Sequence, residues 1–445
     1  MIIGDAHRLA TSKRIDPERF APSPSLGRSP LYSYAARPCR QMRRTPLIRA
    51  WWTSPDSRWG RGVRDWRRVA QWAPVKHSPR IVVAPDSLKG TASSPDAARW
   101  LAAGLSEALP DAEIALAPMA DGGEGTAALL GGEPITLPTT TAAGRLTEAT
   151  YFLDRESRTA HIDVAAASGL PQVKDSPVPL TGDTYGTGVL VADAQSRGAR
   201  RIVLALGGSA TLDGGTGILA ALGAAPQAAS GAPVPHGGGW LKAIEHIDTA
   251  QLNIPAAGVD WVLLADVTAP VTGENGAARG FGPQKGADAS DVELLEESLA
   301  HLCRVLDVDP ERPGYGAAGA IPVGIAWLSR LIYGDLGHVE VLPGAAAVAA
   351  AQGLKEKIAG ADLVVTAEGT VDEQSFRGKV LGAVAELARG AVARLGVAAG
   401  RIPEGLLPEG ALAETLEEGV GVEEQLRRAG RRLGEAYRSI ATVQG

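Results

Sequence analysis

Five islands rich in glycine and aspartate punctuate this chain: APDSLKG at 84–90, MADGGEGT at 119–126, LGGSATLDGG at 206–215, FGPQKGA at 281–287 and AEGTVDEQS at 367–375. Most of them follow a short apolar run and precede a helical pattern. RIVVAP opens the series, and SSPDAARWLAAGLSEAL at 93–109 reads as a helix with Ser94 as N-cap and Pro95 in its first turn. The run AEIALAPMA at 112–120 and a small-residue helix after Asp121 repeat the arrangement. ATYFLD at 149–154 and TAHIDVAAA at 159–167 read as strands, GTGVLVADAQSRG as a helix, RIVLAL at 201–206 as a strand, and Gly214 to Gly223 as a helix. VDWVLLADVTAP at 259–270 is a strand ending on Asp266, and DLVVTA leads into the last island. Such alternation predicts an α/β fold with parallel strands, in which loops at the carboxyl ends of strands carry ligands.

Glycine lets backbone N–H groups approach an anion, and Asp or Lys beside it can hold a metal or neutralise a phosphate. Phosphoryl transfer needs that combination. Taken singly, each acidic residue is an ordinary cap or turn residue, and a lone GGS merely permits close packing. Five strand-exit islands together favour the chemical reading. Neither G-x-x-x-x-G-K-[ST] nor the H-R-D and D-F-G pair occurs, so a nucleotide site here is of another kind.

The 445 residues, 55 of them Gly and 45% apolar, suggest two compact α/β domains. Residues 1–79 carry 16 Lys plus Arg against 5 Asp plus Glu, a net +11, which leaves 28 against 45, a net −17, for the rest. Five of the nine Trp fall in that basic region, among Arg and Pro and without a period of two or 3.6, so it is expected to be a disordered extension. A nucleic-acid or membrane arm, a mitochondrial-type presequence, and a start assigned too far upstream of Val75 are the other readings of it. No apolar run has the length of a secretory signal or a membrane span. Cys39 and Cys303 form no ligand spacing and no disulfide framework, which fits a reducing cytoplasm. The acidic remainder would repel phosphate backbones, so no nucleic-acid partner is expected.

The ordered set APDSLKG, MADGGEGT, AAASGL at 165–170, YGTG at 185–188, GGSAT-x-DGG, DVT-x-P, FGPQKGA and EGT-x-D-x-QS resembles the type I glycerate kinase family over about residues 80 to 379. The resemblance implies ATP-dependent phosphorylation of glycerate to 2-phosphoglycerate. It also implies two unlike α/β domains, one inserted in the other, with the active site in the cleft between them: 80–144 plus 316–445 as the discontinuous domain and 145–315 as the insert. The acceptor hydroxyl needs a carboxylate as base or orienter, for which Asp372 and Asp266 are the candidates. Lys89 and Lys285, each flanked by Gly, would neutralise the transferred phosphoryl group. Arg279, whose planar fork matches a carboxylate, is the candidate for the acid group. Asp86, Ser87, Gly207, Gly208, Ser209, Glu368 and Lys379 complete the expected substrate and phosphate contacts. Mg²⁺ is expected with ATP, with Asp121 and Asp213 as its candidates and Asp86 beside them.

Four loops depart from the family pattern. Leu212 replaces the Asn of GGSATNDGG, Ala269 that of DVTNP, Ala367 the Gly of GEG, and GAAGAIP at 316–322 lacks expected glycines. If Leu212 or Ala269 lines the pocket, the preferred acid could be another small hydroxy acid, and a non-catalytic homologue is the further alternative. Ala367 requires a negative φ. Near the C-terminus GVAAGRI at 396–402 reads as a strand remnant, a later strand is expected to be missing, and a final amphipathic helix is expected to cover the sheet or serve as an interaction helix.

Overall fold

A computed structural model describes residues 78–88, 90–266, 268–376 and 378–443. The basic extension therefore lies outside the described residues up to position 77. In chain order the strands are β1 (Arg80–Val83), β2 (Glu113–Leu116), β3 (Glu133–Thr140), β4 (Leu146–Asp154), β5 (Thr159–Asp163), β6 (Arg201–Ala205), β7 (Ala225–Gln227), β8 (His246–Asp248), β9 (Asp260–Leu264), β10 (Val339–Leu342), β11 (Leu363–Thr370), β12 (Arg394–Arg401) and β13 (Leu412–Thr415).

Two main sheets result. The first is five-stranded, ordered β13-β12-β11-β1-β2, and every pairing in it is parallel. Its inner strands are apolar on both faces, as a sheet covered by helices on both sides demands: the RIVV run is buried from Ile81 to Val83 and the LVVTA run from Leu363 to Ala367. The second is six-stranded, ordered β10-β9-β6-β5-β4-β3. Its β5, β6, β9 and β10 run parallel, while β3 and β4 add antiparallel neighbours at one edge. A small antiparallel pair, β7 with β8, stands apart.

Strand pairing carries the second sheet from Glu133 to Leu342, wider than the expected 145–315. β3 reads EPITLPTT, with two prolines and little apolar alternation, and β10 is only four residues long, so neither announces itself. Three local expectations are corrected. Ser93, not Ser94, caps the helix Ser94–Ala108, its side chain accepting the Asp96 amide. The strand in TAHIDVAAA stops at Asp163, and Val164–Ser168 is a helical turn. No strand is lost near the C-terminus, because β13 pairs parallel with β12 from Leu412 to Thr415.

The final helix, Val422–Val443, covers the first sheet with Leu426, Ala429, Leu433 and Tyr437. It crosses Ser94–Ala108 so closely that a Cβ on Gly104 would fall 1.8 Å from the Arg427 carbonyl oxygen, and one on Gly430 would fall 2.2 Å from that of Leu101. Its basic face is held in ion pairs, Arg427 with Glu107 at 2.6 Å and Arg428 with Glu417 at 2.8 Å, rather than left open for a partner. No helix among the described residues is long and apolar enough to cross a membrane.

Ala367 sits in extended backbone within β11, paired with Ala398, so the loss of glycine there is harmless. The GAAGAIP segment is different. The helix Ala317–Tyr333 opens on a left-handed turn, with φ of 51° at Ala318, 69° at Gly319 and 68° at Ala320. A left-handed conformation costs a residue with a Cβ about 1–2 kcal/mol, partly offset against glycine's larger entropy loss of about 0.5–1 kcal/mol. Ala318→Gly is therefore expected to raise stability by about 0.5–1 kcal/mol in urea unfolding. Ala320→Gly, which also removes a fully buried methyl worth about 0.8 kcal/mol, should come out near neutral.

Candidate active site

The strand-exit loops converge where the two sheets meet. After β2, the loop at Asp121–Gly123 reaches the loop after β6: the Gly207 amide donates to the Gly122 carbonyl at 2.9 Å, and a Cβ on Gly207 would lie 2.6 Å from the Gly123 Cα. The start of the helix Gly344–Ala351 closes on the same point, where a Cβ on Gly344 would be 2.1 Å from the Asp121 carbonyl oxygen. Asp121 folds its carboxylate back onto the Gly123 amide at 3.0 Å.

On the first sheet, the Asp86 amide donates to the Ala367 carbonyl at 3.0 Å, which sets the APDSL loop beside the end of β11. Asp86 is largely buried, and its carboxylate accepts the Ser87 amide at 2.7 Å. Glu368 follows Ala367. Burial pushes its carboxyl above the usual carboxylate range, with the charges of Asp372 and Asp121 adding to the rise and the Ser375 hydroxyl and Lys379 opposing it. Its Oε2 is enclosed and accepts no hydrogen bond among the described residues. Asp372 is exposed and, among the described residues, is tied by one oxygen only, Oδ1 accepting the Ser375 amide at 2.8 Å and its hydroxyl at 3.2 Å. Lys379 stands at the start of the helix Val380–Gly390. Gly378 approaches the loop after β9, since a Cβ there would lie 3.4 Å from the Asp266 carbonyl oxygen. Asp86, Asp121, Asp266, Glu368, Asp372 and Lys379 thus share one neighbourhood, drawn from both sheets. Lys89 lies outside the described residues.

The 207–211 loop forms the other wall. Gly208 has φ 77°, its carbonyl accepts the Leu170 amide at 2.9 Å, and the Ala210 amide donates to Ser168 at 2.8 Å. These bonds pin the AAASGL segment against the GGSAT segment. The Gly208 and Ser209 amides have no hydrogen-bond partner among the described residues, a pair of donors at a strand exit of the kind that receives anions. Lys285 lies beneath this loop at 4% exposure, its Nζ donating to Ser209 Oγ at 2.9 Å and to the Thr211 carbonyl at 2.7 Å. Burial pushes the ammonium down to about 7, against the pull of the Asp213 carboxylate.

Two sequence candidates are engaged elsewhere. Arg279 grips Glu293 with both guanidinium nitrogens, at 2.7 and 2.8 Å, so its fork already holds a carboxylate. Asp213 is fully enclosed and accepts from the Thr184 amide (2.9 Å), the Thr184 hydroxyl (2.8 Å), the Gly217 amide (2.9 Å) and the Gly215 amide (3.3 Å). Burial and the nearby charge of Asp183 push its carboxyl up, while these donors hold it down. Its oxygens fasten the start of the helix Thr216–Ala221 to the TGDTYG loop. Leu212, likewise fully buried, packs in an apolar cluster with Leu295, Leu299 and Leu302 and does not line the loop's outer face. Among the described residues no group of three or more His, Cys, Asp or Glu is arranged to hold a metal.

Sequence reasoning passed over Asp163, which caps the helix Thr126–Leu130 from a distant strand by accepting the Gly125 and Ala127 amides, both at 2.8 Å. A strand ending on Asp was the available signal, but its partner is 36 residues away. Also passed over was Asp183, which receives the Tyr185 amide and His236 Nδ1, each at 2.9 Å.

The sequence profile of the glycerate kinase family matches residues 81–444. A glycerate 2-kinase of Escherichia coli K12 is 39% identical over 324 residues, covering 70% of this chain and 82% of that protein. A glycerate kinase of Halalkalibacterium halodurans is 38% identical over 320 residues, covering 69% and 82%. A solved structure from Salmonella typhimurium LT2, described as that of a candidate glycerate kinase 2, superposes with a TM-score of 0.67 at 33% identity, covering 82% of this chain and 98% of that one. Parallel α/β sheets whose strand-exit loops gather carboxylates, lysines and free amides suit a phosphotransferase that acts on an alcohol group. The chain belongs to the glycerate kinase family.

Burial pushes the Asp163 carboxyl from its ordinary 3.8 up to about 6, although the two amides pull it down. The native state therefore binds a proton more readily than the unfolded chain between those values, and the stability associated with this proton is lost as pH rises through about 6. Asp163→Asn cannot titrate. The advantage of the wild type over this variant should shrink by on the order of 2 kcal/mol between pH 4 and pH 7.5, read from urea midpoints at the two pH values.

Proposed function

We propose that this chain phosphorylates glycerate with ATP to give 2-phosphoglycerate. The observation that carries the reading is the meeting of two unlike loop sets on one side of the joint between the sheets: paired free amides at Gly208 and Ser209 on one wall, carboxylates with Lys379 on the other. The architecture we infer is a discontinuous domain built on the five-stranded sheet, with the six-stranded sheet inserted between about residues 133 and 342.

In this reading Asp372 orients the acceptor hydroxyl. Ser375 fixes its Oδ1 and leaves Oδ2 free to take the proton, with Asp266 on the opposite loop as the second carboxylate. As the hydroxyl oxygen bonds to the γ-phosphorus, the bond between that phosphorus and the ADP oxygen breaks, and the hydroxyl proton passes to the carboxylate. The Gly208 and Ser209 amides and Lys379 neutralise the anionic oxygens brought together in the cleft. Asp86 and Ser87 take part from the APDSL loop, as does Lys89 following it.

Mg²⁺ fits the donor set. The ion is commonly bound by one or two carboxylates with the remaining positions filled by phosphate and water, and Asp121 and Glu368, whose Oε2 lacks a partner, supply such a pair. When bound it would offset charge on the phosphates. Asp213, whose oxygens already accept from four donors, is not assigned that role in this reading. A second reading, a different small hydroxy acid as acceptor, rests on Ala269, which is partly exposed three residues beyond Asp266 and lacks the amide side chain of its family counterpart. The cytoplasm is the compartment we infer, from a buried free Cys303 and the absence of any disulfide framework in the sequence.

Coupled ADP release by the full chain with ATP, Mg²⁺ and D-glycerate tests this, with phosphorus NMR to identify the product. Glycerate-dependent turnover is expected, and Asp372→Asn should lower kcat by about 10²–10⁴-fold. Turnover on another hydroxy acid in place of glycerate would shift the reading to the second acceptor, and silence on all acids tried would overturn it.

A further inference from the structure

We propose that Lys285 is a positioning residue that acts through Ser209, turning the serine hydroxyl into a fixed donor toward the ligand's anionic oxygens. The inference rests on the reading of the 207–211 loop as a ligand-binding loop, and it replaces a direct contact between Lys285 and the transferred phosphoryl group.

Geometry argues for an indirect role. Lys285 is 4% exposed, and both hydrogen bonds of its ammonium end within the loop, on Ser209 Oγ and the Thr211 carbonyl. It comes from the turn Pro283–Lys285, 76 residues away in sequence from Ser209, so it braces the loop from outside. A serine hydroxyl carries one proton and two lone pairs, whereas Lys285, below the value of about 7 to which burial pushes it, is an ammonium that can only donate. With one lone pair of Ser209 filled by Lys285, the serine proton must point away from the lysine. The partnerless amides of Gly208 and Ser209 belong to the same stretch, and the hydroxyl adds a third donor to it. Its orientation is tied to the charge beneath.

Filling space does not explain the residue. Removing an ammonium from water costs several kcal/mol, and a methionine of similar length would occupy the position without that penalty. The return is a loop whose backbone is clamped on three sides: by Gly122 at Gly207, by Ser168 and Leu170 at Gly208 and Ala210, and by Lys285 at Ser209 and Thr211.

A double-mutant cycle on the full chain tests the coupling, with Lys285→Met, Ser209→Ala and the pair, each assayed for kcat and KM with D-glycerate and MgATP and for its melting temperature. Loss of positioning at a reacting centre costs about 10²-fold, so each single variant should lose about that factor in kcat/KM. The double variant should fall no more than about threefold below the worse single, because either change alone already releases the hydroxyl. A double variant lower by the product of the two single losses would show that Lys285 contacts the ligand independently and would overturn the proposal. So would a Lys285→Met protein that melts differently but keeps wild-type kinetics, or a Ser209→Ala protein with full activity. If Lys285→Met is not recovered folded, Lys285→Gln takes its place in the cycle. Should the wild type turn over no glycerate, the substrate reading fails by itself, and the same cycle is read on the melting-temperature shift caused by MgATP, where additive losses overturn the proposal and non-additive losses support it.

Discussion

Backbone meets backbone where the two sheets join, and the site depends on that approach. Gly207 donates to Gly122 while its Cα faces that of Gly123, and Gly344 abuts Asp121, with no room for a Cβ at Gly207 or Gly344. Side chains at this joint would hold the loops after β2 and β6 apart and separate the carboxylates near Asp121 from the amides of the 207–209 loop. The glycines are therefore a distance constraint first and a source of flexibility only second. What the islands share is proximity.

Around the joint, buried charge is used to hold loops rather than to meet ligands. Asp213 fastens the TGDTYG loop to the helix Thr216–Ala221, Asp163 caps Thr126–Leu130, and Lys285 braces 209–211. Each group is desolvated and would be a liability unpaired, and each has two or more backbone or hydroxyl partners. Ala318 and Ala320 belong to the same economy of support. Their left-handed turn lies against the loop, with the Gly319 carbonyl accepting the Gly214 amide at 2.9 Å, so backbone strain is held in the layer just behind the site.

The sequence made the strand-exit pattern legible because parallel strands buried on both faces leave apolar runs such as RIVV and LVVTA, and because glycine and aspartate cluster where those runs stop. It was mute where length and composition gave no period: β3 with its prolines, the four-residue β10, and β13, which alternates partly buried and exposed residues at the sheet edge. Residue type also failed to separate ligand-facing groups from braces. Arg279 and Asp213 carry suitable chemistry in suitable islands, yet one is closed by Glu293 and the other by four donors, and those partners are distant or lie on the far side of a turn. Leu212 looked like an altered pocket residue because its neighbours in sequence line the loop, whereas its side chain points into the core.

The interleaving of the two sheets along the chain sets an order of assembly. All six strands of the larger sheet lie between Glu133 and Leu342, so that sheet can form while later residues are still being made. β1 and β2 emerge first but acquire β11, β12 and β13 only at the end, and the helix Val422–Val443 that seals them is the last element described. Until it arrives, the part of Ser94–Ala108 that packs against it has no cover, and on the ribosome the stretch before Glu133 must wait for the residues after Leu342.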